Sequence, residues 1–437
     1  MKKGLLKKFA LAAVLSAALA FTPVVAGCQS LKGRDGTNGK DLTIYDIWQE
    51  TIERTGNPDL SFEDFLRDYL SYDSDELAQS SSLTASINRS LMSGVSIITS
   101  FSDHFGIETK YYGSGVIVDV DKMNGDMTVV TNCHVVYSAE NRTNNTALIS
   151  AASGFAKSVK LWLYGSEYAG GDAIDAKIIG ASKSYDIAVL KVSGNTLVKN
   201  SHAVAAQWYS GEECFIGESV YTVGNADGKK LSASVGYISK DSEEITVNIG
   251  TDSIYENYTY RVLRTDTAIN GGNSGGGLYN KYGELVGIVN AKSVSENIDN
   301  MGYALAAATT RRVVDRLIGD ANGYFGIEVV SPGISFVSTD SYTTGLDKDG
   351  YARIKEVVTV SHAPITSTLR TGDILLSVAV KRSGVIVESM EVERMHNLTD
   401  ALIAVRAGDS VTFTLDRGGQ QVEATMSFSS GNFTRKA

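Results

Sequence analysis

Thr265-Asp266-Thr267-Ala268-Ile269-Asn270-Gly271-Gly272-Asn273-Ser274-Gly275-Gly276 is the stretch that decides the fold of this chain. Four glycines flank one serine. Glycine reaches positive φ and lets backbones approach closely, so such a loop can aim several N–H groups at one point. A serine hydroxyl there is a poor nucleophile until a base removes its proton. Two other segments carry suitable partners. Thr131-Asn132-Cys133-His134-Val135-Val136 places a histidine at the end of an apolar run, and Tyr185-Asp186-Ile187-Ala188-Val189-Leu190 places an aspartate at the start of one.

Each residue type has a physical task. His134 can accept a proton near neutral pH. Asp186 would fix the imidazole tautomer and stabilise the imidazolium that forms. The amides around Gly272, Asn273 and Ser274 are candidates for an oxyanion hole, those of Gly272 and Ser274 first. Taken singly, a histidine after a strand is most often structural and a GNSGG loop only a turn. The conjunction in the order His, Asp, Ser points to chymotrypsin-like proteases, since subtilisins and α/β-hydrolases order their residues differently.

The three segments resemble the TNxHVV, DIAVLKV and TDxAINxGNSGG motifs of the HtrA (DegP-like) serine proteases, and the resemblance runs from about residue 90 to the C-terminus. It implies a mainly β protein: a chymotrypsin-like double six-stranded β-barrel over 84–318, then a PDZ domain over 320–430. It implies an ATP-independent endopeptidase acting on unfolded or exported polypeptides, with no cofactor. Gly271 and Gly277 stand where that family commonly has proline, which loosens the loop. Ala268, six before the serine, would floor the specificity pocket, with Ile269, Ile288, Gly302 and Ala304 around it. No acid stands there, so small or aliphatic side chains are the expected substrates.

In the C-terminal part, Gly323-Tyr324-Phe325-Gly326-Ile327 resembles the YLGI-type carboxylate-binding loop of HtrA PDZ domains, and Thr371-Gly372-Asp373-Ile374-Leu375-Leu376 their GD-turn and strand. A peptide C-terminus would pair with 327–330 by β-augmentation, beside a helix bearing Leu398 and Leu402. The resemblance also allows a homotrimer through Phe101, Phe105, Tyr111 and Tyr112. Rival readings are a regulatory protease for one membrane partner and a chaperone or scaffold with an idle protease fold.

The N-terminus is a targeting segment. Lys2, Lys3, Lys7 and Lys8 precede an apolar run from Phe9 to Phe21, and Val25-Ala26-Gly27-Cys28 resembles the lipobox of bacterial lipoproteins. Residues 1–27 are thus expected to be removed and Cys28 lipidated, anchoring the chain to the outer face of the bacterial cell membrane. Residues 28–40 read as a flexible tether, and 41–82 as a helical segment closing in a polar linker at Gln79-Ser80-Ser81-Ser82. The formal charge of −10 becomes −14 once those four lysines are gone, which argues against nucleic acid as a partner. Cys133 and Cys214 could pair or stay separate thiols. The five histidines are too scattered for a metal site.

Overall fold

The computed structural model describes Ile52 and residues 74–102, 107–138, 154–166, 173–211, 214–251, 254–292, 301–319, 326–346 and 350–436. The leader, Cys28 and the tether lie outside these residues. Helix α1 (Ser74–Met92) runs straight through the expected linker. Leu83, Ile87 and Leu91 recur every four residues and pack on the core, so an apolar face holds the helix directly after the serines.

The first barrel closes in the order β1-β2-β3-β6-β5-β4 and is antiparallel throughout. Its elements are β1 (Gly94–Ser102), β2 (Glu108–Asp121), β3 (Asp126–Thr131), the short helix α2 (Cys133–Val136), β4 (Ser158–Leu163), β5 (Ile174–Ser182) and β6 (Ile187–Val192). Strand alternation explains why these runs are apolar on both faces. Val129 joins Ile97, Ile117 and Leu161 inside the barrel, while its neighbour Val130 joins Val116 and Val189 outside it. That outer face is buried against the second barrel.

After α3 (Thr196–Lys199) and β7 (Gln207–Trp208) come β8 (Ser219–Gly224), β9 (Ser232–Thr251), β10 (Ile254–Thr265), β11 (Gly277–Asn280), β12 (Glu284–Lys292) and β13 (Gly302–Ala306). The last six form the ring β11-β8-β9-β10-β13-β12, which the β11–β12 pairing closes; β7 adds to β12 in parallel. Two tyrosines on its outer face pack in the core between the barrels. Tyr221 and Tyr279 stack at 5.5 Å, and their hydroxyls meet Ser90 at 2.9 Å and Ser93 at 3.0 Å, which fastens the end of α1. Cys133 and Cys214 lie in the cores of different barrels and form no disulfide.

Helix α4 (Ala307–Gly319) buries Val313, Val314 and Leu317 against both barrels. The PDZ-like unit follows: β14 (Ile327–Val330), β15 (Ser335–Leu346), β16 (Ala352–His362), β17 (Ile374–Arg382), β18 (Val385–Glu391), α5 (Met395–Ile403), β19 (Ser410–Arg417), β20 (Gln420–Ser427) and β21 (Phe433–Lys436). Its sheet runs β15-β16-β17-β19-β20, with β18 on β17, while β14 pairs with β21 alone. This two-barrel plus PDZ-like architecture is the one expected from the motifs.

Candidate active site

Strand β3 ends at Thr131, and α2 turns His134 toward the loop before β6. There Lys183–Asp186 form a turn, with Asp186 at φ 49 and its N–H donating to the Lys183 carbonyl at 3.2 Å. A non-glycine residue in this region is uncommon, although aspartate tolerates it better than most. Asn132 holds the turn by donating its amide to the Asp186 carbonyl at 3.0 Å.

The Asp186 carboxylate, almost fully buried, accepts three hydrogen bonds. The His134 backbone N–H donates to Oδ1 at 2.9 Å, His134 Nδ1 meets Oδ2 at 2.7 Å, and Asn290 Nδ2 donates to Oδ2 at 2.5 Å. The His134 side chain is 33% exposed, so its other edge faces the open site. Burial pulls the imidazole pKa down, but the charge and hydrogen bond of Asp186 more than reverse this, and the net shift is upward from 6.5.

Ser274 reaches the same network through Asn290. Its Oγ donates to the Asn290 carbonyl at 3.1 Å, while the Asn290 amide holds Asp186. The sequence places Asn290 only at the end of a specificity-pocket wall, 287–290, and gives it no part in the His134, Asp186 and Ser274 network. Its signal was a polar side chain inside the apolar strand 284–289 and its continuation. Ser114, deep in β2, was missed as well: its N–H donates to the Ser274 carbonyl at 2.9 Å. Gly275 shows why the loop needs glycine. It lies at φ 84, and a Cβ there would stand 2.2 Å from the Ser114 carbonyl oxygen.

The two-barrel domain has known relatives. A family model described as a trypsin-like peptidase domain matches residues 113–288. The chain is also similar to HtrA-type serine proteases. The "Serine protease Do-like HtrA" of Bacillus subtilis (strain 168) is 27% identical over 319 residues, covering 71% of this chain. The chain spans only 62% of that relative's length. The protein of the same name from Lactococcus lactis subsp. lactis (strain IL1403) is 27% identical over 333 residues, with 74% of this chain and 72% of that protein covered. A solved structure, "HtrA-type protease AlgW with tripeptide", matches 79% of this chain and 96% of its own at 20% identity and a TM-score of 0.49.

The protease domain does not gather all five expected pocket residues. Ala268 is exposed. Ile269, Gly302 and Ala304 cluster together, and a Cβ on Gly302 would stand 2.5 Å from Ile269 Cδ1, so Ile269 fills that space. Ile288 faces the other way, into the inter-barrel core with Tyr221 and Leu305. Strand alternation along β12 is the cause. Of the two loosened positions, Gly277 is packed: a Cβ there would stand 2.3 Å from the Tyr279 ring. Phe101 is core, edge-on to Tyr111, while Tyr111 and Tyr112 are exposed; Phe105 lies outside the described residues.

The expected peptide groove also differs. Tyr324 and Phe325 lie outside the described residues. The Gly326 N–H, at φ 87, donates to the Ala181 carbonyl of β5 at 2.6 Å, and Ile327 is buried with Leu317 and Ile403. Leu398 and Leu402 belong to the interior of the PDZ-like unit, with Val378 and Phe413. Helix α5 offers its other face to the protease domain. Asp400 pairs with Arg261 at 3.1 Å and accepts from Thr309 at 2.8 Å. Arg316 of α4 reaches into the PDZ-like unit, donating to the carbonyls of Glu328 at 2.7 Å and Val405 at 3.0 Å. A cavity of about 110 Å³ remains at this junction, lined in part by Tyr185, Arg261 and Asp400. Burial, then the charge of Asp400, pushes the Tyr185 phenol up to about 12.

Proposed function

We propose that this chain is a serine endopeptidase in which Ser274 attacks the peptide carbonyl, His134 takes and returns the proton, and Asp186 orients the imidazole. The observation that carries this reading is Asn290, whose amide holds Asp186 and whose carbonyl holds the Ser274 hydroxyl, so the three residues share one network. In the resting state Ser274 Oγ donates to the Asn290 carbonyl, and for attack it must give this bond up for His134. An acyl-enzyme then forms and water releases it, His134 serving as acid and then base.

The reading extends to substrates and place by inference from the HtrA resemblance and the residues. Unfolded or exported polypeptides are the substrate class, and the space filled by Ile269 favours small or aliphatic side chains. The PDZ-like unit would bind peptide C-termini. The Val-Ala-Gly-Cys sequence at 25–28 supports a lipid anchor at Cys28. The test is degradation of unfolded casein by the chain and by Ser274→Ala. Cleavage by the parent and a loss of at least about a thousandfold in the variant is expected. Equal cleavage by both would remove Ser274 from the mechanism.

A further inference from the structure

We infer that Ser114 and the turn 225–228 form a clamp on the nucleophile loop that sets the Gly272 amide of the oxyanion hole through Gly271 O and braces the peptide units on either side of Asn273 and Ser274; this deepens the serine-protease reading and rests on it. Four consecutive carbonyls of the nucleophile loop each have a donor. Gly271 O accepts from Asp227 N at 2.6 Å, Gly272 O from Ser114 Oγ at 2.7 Å, Asn273 O from Gly276 N at 2.9 Å, and Ser274 O from Ser114 N at 2.9 Å.

A trans peptide unit holds its C=O and N–H in opposite directions. Fixing Gly271 O against the turn therefore turns Gly272 N–H away from it. Fixing Asn273 O on Gly276 does the same for Ser274 N–H. Among the described residues neither N–H has a protein acceptor, whereas Asn273 N–H goes to Asn270 O and Gly275 N–H to Val289 O. The two amides left over are those that must meet a developing oxyanion.

Ser114 couples the two loops. Its fully buried hydroxyl accepts from Asn225 N–H at 2.7 Å while donating to Gly272 O. Asn225 in turn caps its own turn, Oδ1 accepting from Lys230 N–H at 2.7 Å, and Asp227 sits at φ 57 to present its N–H. The close approach requires Gly272: at φ 91, a Cβ there would stand 2.3 Å from Asn225 O. Ser114 is a positioning residue, since it acts on the reaction only through the loop.

Steady-state cleavage of a fluorogenic peptide by the full chain and by Ser114→Ala tests the clamp, together with inhibition by a peptidyl aldehyde whose adduct carries an oxyanion. The variant should lose about ten- to a hundredfold in kcat with KM within about twofold, and aldehyde affinity should fall in parallel with kcat. Asn225→Ala, which loosens the turn from its far side, should show the same kcat-only signature. A kcat within about twofold of the parent in both variants overturns the clamp. So does a loss shared equally by kcat and KM with a lowered Tm, the mark of a general structural defect. A parent that turns over no peptide and takes no fluorophosphonate at Ser274 overturns the protease reading and the clamp with it.

Discussion

The loop around Ser274 and the turn at Gly326 use the same device to different ends. Both rely on positive-φ glycine to project backbone N–H groups. In the nucleophile loop the carbonyls are pinned, and among the described residues the Gly272 and Ser274 amides meet no protein acceptor. At Gly326 the amide itself is engaged, donating to the Ala181 carbonyl at 2.6 Å. Strand β14 is engaged on both sides: β21 pairs with it in antiparallel register, and Arg316 takes the Glu328 carbonyl. The first site is organised for a ligand. The second is organised around the chain's own protease domain.

The largest effect should come from breaking the organised side. Asp186→Asn keeps the shape but cannot hold the imidazole in its tautomer, and kcat should fall by about 10⁴. Its pH dependence adds a second readout. The base must be neutral, so activity is lost as pH falls through the His134 pKa, which lies above 6.5 in the parent. Removing the aspartate's charge leaves burial alone, which favours the neutral ring and moves the midpoint of kcat/KM to lower pH. A residual activity with an unchanged midpoint would show that Asp186 does not set the histidine's protonation.

A smaller effect should come from loosening the occupied side. Arg316→Met keeps bulk in α4 but removes the donors to Glu328 and Val405. If docking on the protease domain limits access to Gly326, apparent affinity scales with the fraction undocked. A labelled peptide with an apolar C-terminus should then bind about tenfold more tightly to the variant in fluorescence anisotropy. Unchanged affinity would mean that this face does not compete with peptide, and that the two turns are independent.

What could be read from the sequence differs between the two regions for a physical reason. The His134, Asp186 and Ser274 segments are local: each carries its strand, its turn residue and its chemistry within about a dozen residues, so the barrels and the candidate site were legible. Asn290 and Ser114 were not, because their roles arise only when β12 and β2 are brought beside the nucleophile loop. Ile288 was misplaced because strand alternation decides which face a residue takes, and a one-residue difference in register reverses it. Leu398 and Leu402 were read as groove because an apolar helical stripe marks burial without naming what it is buried against. The linker at 79–82 failed because the helix carries an apolar face from Leu83 onward, and four polar residues ahead of that face do not break it.

The mildest perturbation tests how the organised side chooses its substrate. Ile269 occupies the space that the missing Gly302 side chain leaves, in a cluster with Ile238, Leu263 and Ala304. Truncation in Ile269→Ala removes three carbons there and leaves the carbonyl clamps of 271–274 untouched. Discrimination by an apolar pocket changes by about 1–3 kcal/mol per side-chain step, so preference should move toward Leu or Phe over Val or Ala by about tenfold in kcat/KM. The comparison to make is a matched set of peptides differing only at the residue before the cut. A general fall in kcat/KM with the ranking preserved would place Ile269 in the fold and outside the pocket. A changed ranking with kcat on the best peptide maintained would show that shape selection and oxyanion geometry are separable in this loop, one set by side chains and the other by the backbone.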